Sequence, residues 1–323
     1  MNHDSFISLC HIRYIVKDRF GREVKSIRVS ITERCNLRCF YCHREGEWHR
    51  HRVEMKPEEI ERILKIAREL GIRKVKFTGG EPLVREDVVE IVRRASGLMD
   101  KDVSMTTNGT MLKEYAKELR DAGLMRVNVS LDTLNPEKYR RITGFDALYD
   151  VLDGIKEAVK YLSPVKLNFV LLKGINDDEV ESMIRFSADY GTILQIIELE
   201  APVEKEHTEF FRKYHLSPKF IERHLENLAE DVLYNELHRR RRYIFNIGGK
   251  RAEVEIVRPM HNSEFCMNCT RIRLTSDGKL KPCLLRDDNL VDILTPMRDG
   301  ADDDELLTLF KEAIMRREPY FKP

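Results

Sequence analysis

Six of the seven cysteines fall into two groups of three: Cys35, Cys39 and Cys42, then Cys266, Cys269 and Cys283. Cys10 stands apart and reads as a free buried thiol. An odd number of cysteines in a large chain without a secretory leader argues against a disulfide framework. Thiolates crowded on one short loop repel each other until something positive neutralises them, as a metal ion or an iron–sulfur cluster does. The first group, Cys35-x3-Cys39-x2-Cys42, offers three local ligands where a structural zinc site wants four. A cubane cluster on three thiolates leaves one iron without a protein ligand, and an open metal position is what catalysis uses. Zinc completed by His43 or a distant cysteine is the alternative. The second group, Cys266-x2-Cys269-x13-Cys283, again lacks a fourth cysteine; zinc there would need Cys10 or His261 as its fourth ligand.

These loops need a scaffold, and from residue 27 the chain repeats one unit: an apolar run, a loop, then an amphipathic helical stretch. Strands are expected over 27–33, 75–78, 103–106, 127–131, 165–172 and 193–199. Helices are expected over 57–70, 86–98, 111–122, across 135–161, and over 177–190, with Pro57 at a first helical position and Gly71 as a stop. This alternation is the signature of parallel βαβ units. In such folds functional groups gather at the C-terminal ends of strands. The first cysteine loop, Gly79-Gly80-Glu81-Pro82, Thr107-Asn108-Gly109 and Ser130-Leu131-Asp132 all fall there. After residue 200 the pattern changes. Residues 201–240 read as charged and helical, and Arg239 to Arg242 as a solvated charge run. A hairpin is expected around Gly248-Gly249, a second at Asp277-Gly278, and a last helix over 303–316.

Composition narrows the function classes. The 323 residues are 42% hydrophobic, enough for a sizeable core. The 56 basic and 55 acidic side chains leave a formal charge of +1, which speaks against a nucleic-acid-binding coat. No apolar run approaches the length of a membrane span and no signal peptide is evident, so a cytoplasmic protein is expected.

The segment CNLRCFYC, with Gly79-Gly80-Glu81-Pro82 after the next strand, resembles the radical S-adenosylmethionine superfamily over about 27–200. That resemblance implies an α/β fold, an incomplete (β/α)6 TIM-type barrel over 1–200. It implies a 4Fe-4S cluster on Cys35, Cys39 and Cys42 whose fourth iron is chelated by S-adenosylmethionine. Electron transfer to the sulfonium would release a 5′-deoxyadenosyl radical, which the barrel shields from water. Tyr41, Gly80 and Ser130 would contact S-adenosylmethionine, glycine being suited to close backbone approach.

The second cysteine group, in FCMNCTRIRLTSDGKLKPCLL, extends the likeness to the GTP 3′,8-cyclase family of molybdenum cofactor biosynthesis. The resemblance implies a C-terminal extension over 201–323, packed on the barrel mouth, that carries a second 4Fe-4S cluster on Cys266, Cys269 and Cys283. Its open iron would meet the guanine of GTP. The radical would take the 3′ hydrogen and the ribose carbon would attack C8, giving (8S)-3′,8-cyclo-7,8-dihydroguanosine 5′-triphosphate. GTP contacts would come from Arg28, Lys76, Thr107, Lys166, Arg271, Ile272 and Arg273, with Lys74 a weaker candidate. An electron donor is required, and the product would pass to cyclic pyranopterin monophosphate synthase. Neither nucleic acid nor membrane is an expected partner, and the chain would be a monomer or homodimer. Lys76 and Gln195 stand where relatives carry arginine, and Glu200 where they carry methionine. The Gly-Gly tail of bacterial members is absent. A peptide-modifying radical enzyme with an auxiliary cluster, and a zinc-stabilised nucleic-acid-binding α/β protein, are the competing readings.

Overall fold

The computed structural model describes residues 16–47, 53–235 and 240–322; Cys10 and Arg239 lie outside them. Six βα units come first. Their strands are β1 (Ser26–Ser30), β2 (Lys74–Thr78), β3 (Asp102–Thr107), β4 (Arg126–Ser130), β5 (Val165–Leu171) and β6 (Ile193–Glu198). The helices between them are α1 (Pro57–Glu69), α2 (Val88–Ser96), α3 (Leu112–Asp121), α4 (Pro136–Thr143), α5 (Leu148–Tyr161) and α6 (Val180–Asp189). Proline opens α1, where its missing N–H costs nothing, and the Glu59 carboxylate accepts from the Lys56 N–H. The helical stretch expected across 135–161 is two helices, because Gly144 adopts φ 79° and ends α4.

β5 shows how each strand serves two layers. Val165, Leu167, Phe169 and Leu171 are buried towards the helices, while Lys166, Asn168 and Val170 point to the concave face and line a cavity. The outer face joins a core that includes Val29, Phe77, Met105, Val129 and Ile196. Parallel strands here are therefore apolar outside and polar inside, and Arg28, Lys74, Lys76, Asp102, Arg126 and Lys166 face inward.

The rest of the chain comprises α7 (Glu209–Tyr214), α8 (Lys219–Leu228), β7 (Asp231–Asn235), β8 (Arg240–Ile247), β9 (Lys250–Val257), α9 (Ser263–Met267), β10 (Arg271–Leu274), β11 (Lys279–Lys281), β12 (Val291–Asp292), α10 (Leu294–Arg298) and α11 (Asp303–Met315). Residues 201–240 are thus not helical throughout, since β7 lies within them. These strands continue the first sheet. The order is β12-β11-β10-β1-β2-β3-β4-β5-β6-β9-β8-β7. β10 runs parallel to β1, with Arg273 opposite Arg28, and β9 runs parallel to β6, with Glu255 opposite Gln195. Among the described residues β9 and β10 do not pair, so the curved sheet is an open barrel whose flanks both come from the C-terminal third.

Candidate functional site

The concave face and the C-terminal strand ends enclose a cavity of about 780 Å³, in the range of small-molecule sites. Cys35, Cys39 and Cys42 enter it on the loop after β1, and all three are free thiols. Gly80 seats that loop. Its N–H neighbour contacts run to the loop backbone, with Gly80 N donating to Thr32 O at 2.7 Å and Glu81 N to Arg34 O at 2.7 Å. A β-carbon on Gly80 would lie 2.2 Å from Arg34 O, so the glycine is required by the chain's own cysteine loop. The Glu81 carboxylate turns away from the loop and ties β2 to β3, accepting from Thr107 Oγ1 and Asn108 N, each at 2.6 Å, and from Leu83 N at 3.0 Å. Burial pushes its pKa up to about 7, against the pull of these donors.

Tyr41, between the last two cysteines of the loop, donates its hydroxyl to Asp132 beyond β4. The other Asp132 oxygen accepts from Val170 N at 2.8 Å, so one carboxylate pins the cysteine loop to β5. Burial raises Asp132 to about 6. Ser130 lines the cavity below it.

Deeper in the cavity one polar row runs along the sheet from β2 to β8. Lys76 Nζ donates to Asn128 Oδ1 at 2.7 Å, and Asn128 Nδ2 donates to Asn168 at 3.0 Å and to Gln195 Oε1 at 2.9 Å. Gln195 Nε2 then donates to Glu255 at 2.5 Å, and Glu255 also receives Lys166 Nζ at 2.8 Å and Arg242. Burial works against the Glu255 carboxylate, but Lys166 and Arg242 outweigh it and hold its pKa at about 2. Among the described residues no carboxylate pairs with Lys76; burial, then Arg126 and Arg28, outweigh the distant pull of Asp102 and push it well below an ordinary lysine. At the adjoining strands β1 and β10, Glu45 reaches Arg28 Nη1 at 3.4 Å and lies 3.9 Å from Arg273 Nε. Both arginines keep a buried Nε without a hydrogen-bond partner.

The second cysteine group borders the same cavity, between α9, β10 and the loop after β11. Arg22 Nη1 donates to Cys266 O at 2.8 Å and Arg317 Nη2 to Cys269 O at 2.6 Å, and both arginines pair with Asp18. Burial opposes the Cys269 thiolate, yet Arg271 and Arg317 bring its pKa down to about 6. Burial pushes the thiols of Cys266 and Cys283 up, as it does all three of the first group. The two cysteine loops touch. A β-carbon on Gly46, which adopts φ 76°, would lie 2.2 Å from Leu284 O.

Such a donor set suits clusters. Desolvated thiols become thiolates only against a positive partner, and a cubane spreads its ligands over separate irons. Among the described residues no three His, Cys, Asp or Glu groups converge on the single point one metal ion requires. Nor does His261 turn to the second group; its Nε2 meets Glu206 at 2.8 Å and its ring packs on Phe321. His43 Nδ1 is buried without a partner beside Cys42. Cys10 lies outside the described residues.

The remaining expected residues divide. Arg28, Lys74, Lys76, Lys166, Arg271 and Arg273 all line the cavity. Thr107 lines it too, but its hydroxyl is engaged by Glu81. Ile272 does not: its side chain is fully buried in the core. The charge run is corrected as well. Alternation on β8 sends Arg241 to the surface, where it pairs with Glu226, and turns Arg240 and Arg242 inward. Residues the sequence did not single out include Glu45 and Glu255, together with Tyr320 and Phe321, which line the cavity beside the second cysteine group, while Asp132 stood only in a strand-end motif with no role assigned. Phe321 N lies 3.5 Å from Cys266 Sγ. Only the period-2 placement of Glu255 in the expected second hairpin strand carried a signal, since Arg240 fell in the stretch read as helical and solvated.

Known proteins show which family this chain resembles along its length. Residues 29–187 match the family described as the radical SAM superfamily, and 192–323 match Molybdenum Cofactor Synthesis C. A probable GTP 3′,8-cyclase of Thermococcus kodakarensis is 57% identical over 94% of this chain and 99% of its own. One from Methanocaldococcus jannaschii is 51% identical over 95% of this chain and 99% of its own. The solved structure of anSMEcpe with bound AdoMet superposes with TM-score 0.65 at 18% identity, over 93% of this chain and 84% of that one. SuiB of Streptococcus suis, bound to its precursor peptide SuiA, gives 0.63 at 14% identity, over 92% of this chain and 66% of that one; at such identities the likeness is one of fold. With paired cysteine loops on one cavity and relatives of this identity along nearly its whole length, the chain belongs to the GTP 3′,8-cyclase family of the radical S-adenosylmethionine superfamily.

Proposed function

We propose that this chain is a GTP 3′,8-cyclase. The barrel of residues 1–200 binds S-adenosylmethionine at a 4Fe-4S cluster on Cys35, Cys39 and Cys42, and the extension of 201–323 adds a second 4Fe-4S cluster on Cys266, Cys269 and Cys283. When bound, the first cluster and its ligand supply the radical that removes the ribose 3′ hydrogen. The chain's own residues do the rest. Tyr41, held by Asp132, and Gly80 shape the S-adenosylmethionine seat, and Ser130 adds a hydroxyl to it. The second trio seats the guanine, and Arg28, Lys76, Lys166, Arg271 and Arg273 hold the triphosphate, whose charge needs several donors at close quarters.

The observation carrying this reading is charge: between the two cysteine loops the wall presents Arg28 and Arg273 with orphaned Nε atoms and Lys76 whose side chain, among the described residues, meets the Asn128 amide and no carboxylate. A peptide substrate would have no use for such a wall. An external reductant must feed the first cluster, and the product would pass to cyclic pyranopterin monophosphate synthase. Anaerobic incubation with 3′-deuterated GTP, S-adenosylmethionine and a reductant, followed by chromatographic separation and mass analysis of the nucleotide and the 5′-deoxyadenosine, tests the proposal. Loss of the 3′ hydrogen, formation of the carbon–carbon bond, and gain of one electron and one proton leave a product isomeric with GTP. Cys266→Ala should stop its formation while S-adenosylmethionine cleavage continues. Cleavage by the wild-type chain with GTP left intact would refute the proposal.

A further inference from the structure

The open seam of the sheet is where an unassigned cation sits. Arg240 comes from β8 on one flank and Arg271 from β10 on the other, and both guanidinium groups lie over the Phe265 ring, at 5.4 and 5.5 Å from its centre. Arg240 lines the cavity and its Nε is buried without a hydrogen-bond partner. Its neighbours in the run are differently placed. Arg241 pairs with Glu226 outside, and Arg242 is saturated by Glu253 and Glu255. Among the described residues no carboxylate comes within ion-pair distance of Arg240, although Glu255 and Glu200 act on it through space. Burial, then Arg271, bring its pKa down to about 10, and Arg28 pushes the same way.

A guanidinium kept dry beside other cations, with an unmet donor, is an anion site waiting for its ligand. Two carboxylates of the cationic wall are already shared, Glu45 between Arg28 and Arg273 and Glu255 between Lys166 and Arg242, while Glu200 lines the cavity and acts on Arg240 and Arg271 without an ion-pair contact to either among the described residues. We infer that Arg240 is a substrate-binding residue contributed by the C-terminal hairpin, which closes the open seam by gripping the phosphate chain of the nucleotide together with Arg271. This assignment rests on the GTP reading above. It makes the seam a reader of phosphate number: the monophosphate leaves Arg240 without its partner, and the triphosphate satisfies it.

The test is equilibrium dialysis of GTP, GMP and inorganic tripolyphosphate against the anaerobically reconstituted full chain at two salt concentrations. Arg240→Gln should weaken GTP and tripolyphosphate binding roughly 10- to 150-fold, the worth of one hydrogen bond to a charged group. GMP should weaken less than about threefold on the same argument, since the missing phosphates are what the residue grips. Arg240→Lys keeps the charge without the fork and should fall between. Arg241→Gln should match the wild type. Should Arg240→Gln not fold, the comparison of Arg240→Lys with wild type decides. GTP affinity within twofold of wild type in the folded variant overturns the assignment, as does an equal loss for GMP. If wild type binds tripolyphosphate but not GTP, the nucleotide reading fails while the phosphate role of Arg240 still stands or falls on its own variants. If it binds neither, both fail.

Discussion

Glu45 offers the sharpest test of the cationic wall. It sits three residues beyond Cys42 at φ 54°, and its buried carboxylate accepts from Thr78 Oγ1 at 2.9 Å while facing Arg28 and Arg273. Burial alone would raise its pKa; Arg28 and then Arg273 outweigh burial and hold it at about 2, against an ordinary 4.5. A depression of that size corresponds to about 3 kcal/mol favouring the ionised, folded form. Because the folded value lies below the unfolded one, the contribution is complete above about pH 4.5 and disappears as pH falls towards 2. Glu45→Gln preserves the shape and an acceptor for Thr78 but removes the charge. Urea unfolding of the anaerobic protein should therefore show a loss of about 3 kcal/mol at pH 7 that shrinks steadily between pH 4.5 and 3. GTP should restore more stability to the variant than to the wild type, since the phosphates then meet arginines that Glu45 no longer neutralises. A variant equally stable at pH 7, or a loss that does not change with pH, would show that Glu45 is not the counter-ion of the wall.

Other perturbations probe the neighbouring parts. Asp132→Ala leaves the Tyr41 hydroxyl and the Val170 N–H without their acceptor, so S-adenosylmethionine affinity should drop at least about tenfold in a dialysis assay, with GTP affinity little changed. In Gly80→Ala the new methyl meets Arg34 O, the cysteine loop cannot seat, and iron analysis should find the first cluster depleted. Glu81 has a folded pKa raised to about 7, so it costs stability increasingly as pH rises from 4.5 to 7, by about 3 kcal/mol at the upper end. Replacing it in Glu81→Gln should remove that slope from a pH series of unfolding curves.

The six βα strands were legible because each is an apolar run bounded by loops and followed by a helical period, and the cysteine spacing marked the loops that carry chemistry. The flanking strands were not. β10 pairs with β1 across more of the chain than any local pattern can see, and β7, with the sequence DVLYN, hides at the end of a charged helical stretch. The same distance hid the counter-ions. Glu45 and Glu255 look like surface acids until folding sets them against Arg28, Arg273, Lys166 and Arg242. Arg240 was misread for a different reason: a run of four arginines looks uniformly solvated until strand alternation sorts its members by face.

Electron paramagnetic resonance of chains that retain one cysteine trio at a time tests the central claim most directly. With Cys266, Cys269 and Cys283 replaced by alanine, S-adenosylmethionine should shift the spectrum of the remaining reduced cluster and GTP should leave it unchanged. With Cys35, Cys39 and Cys42 replaced, GTP should shift it and S-adenosylmethionine should not. Spectra indifferent to both ligands would mean that neither cluster has an iron free to bind them.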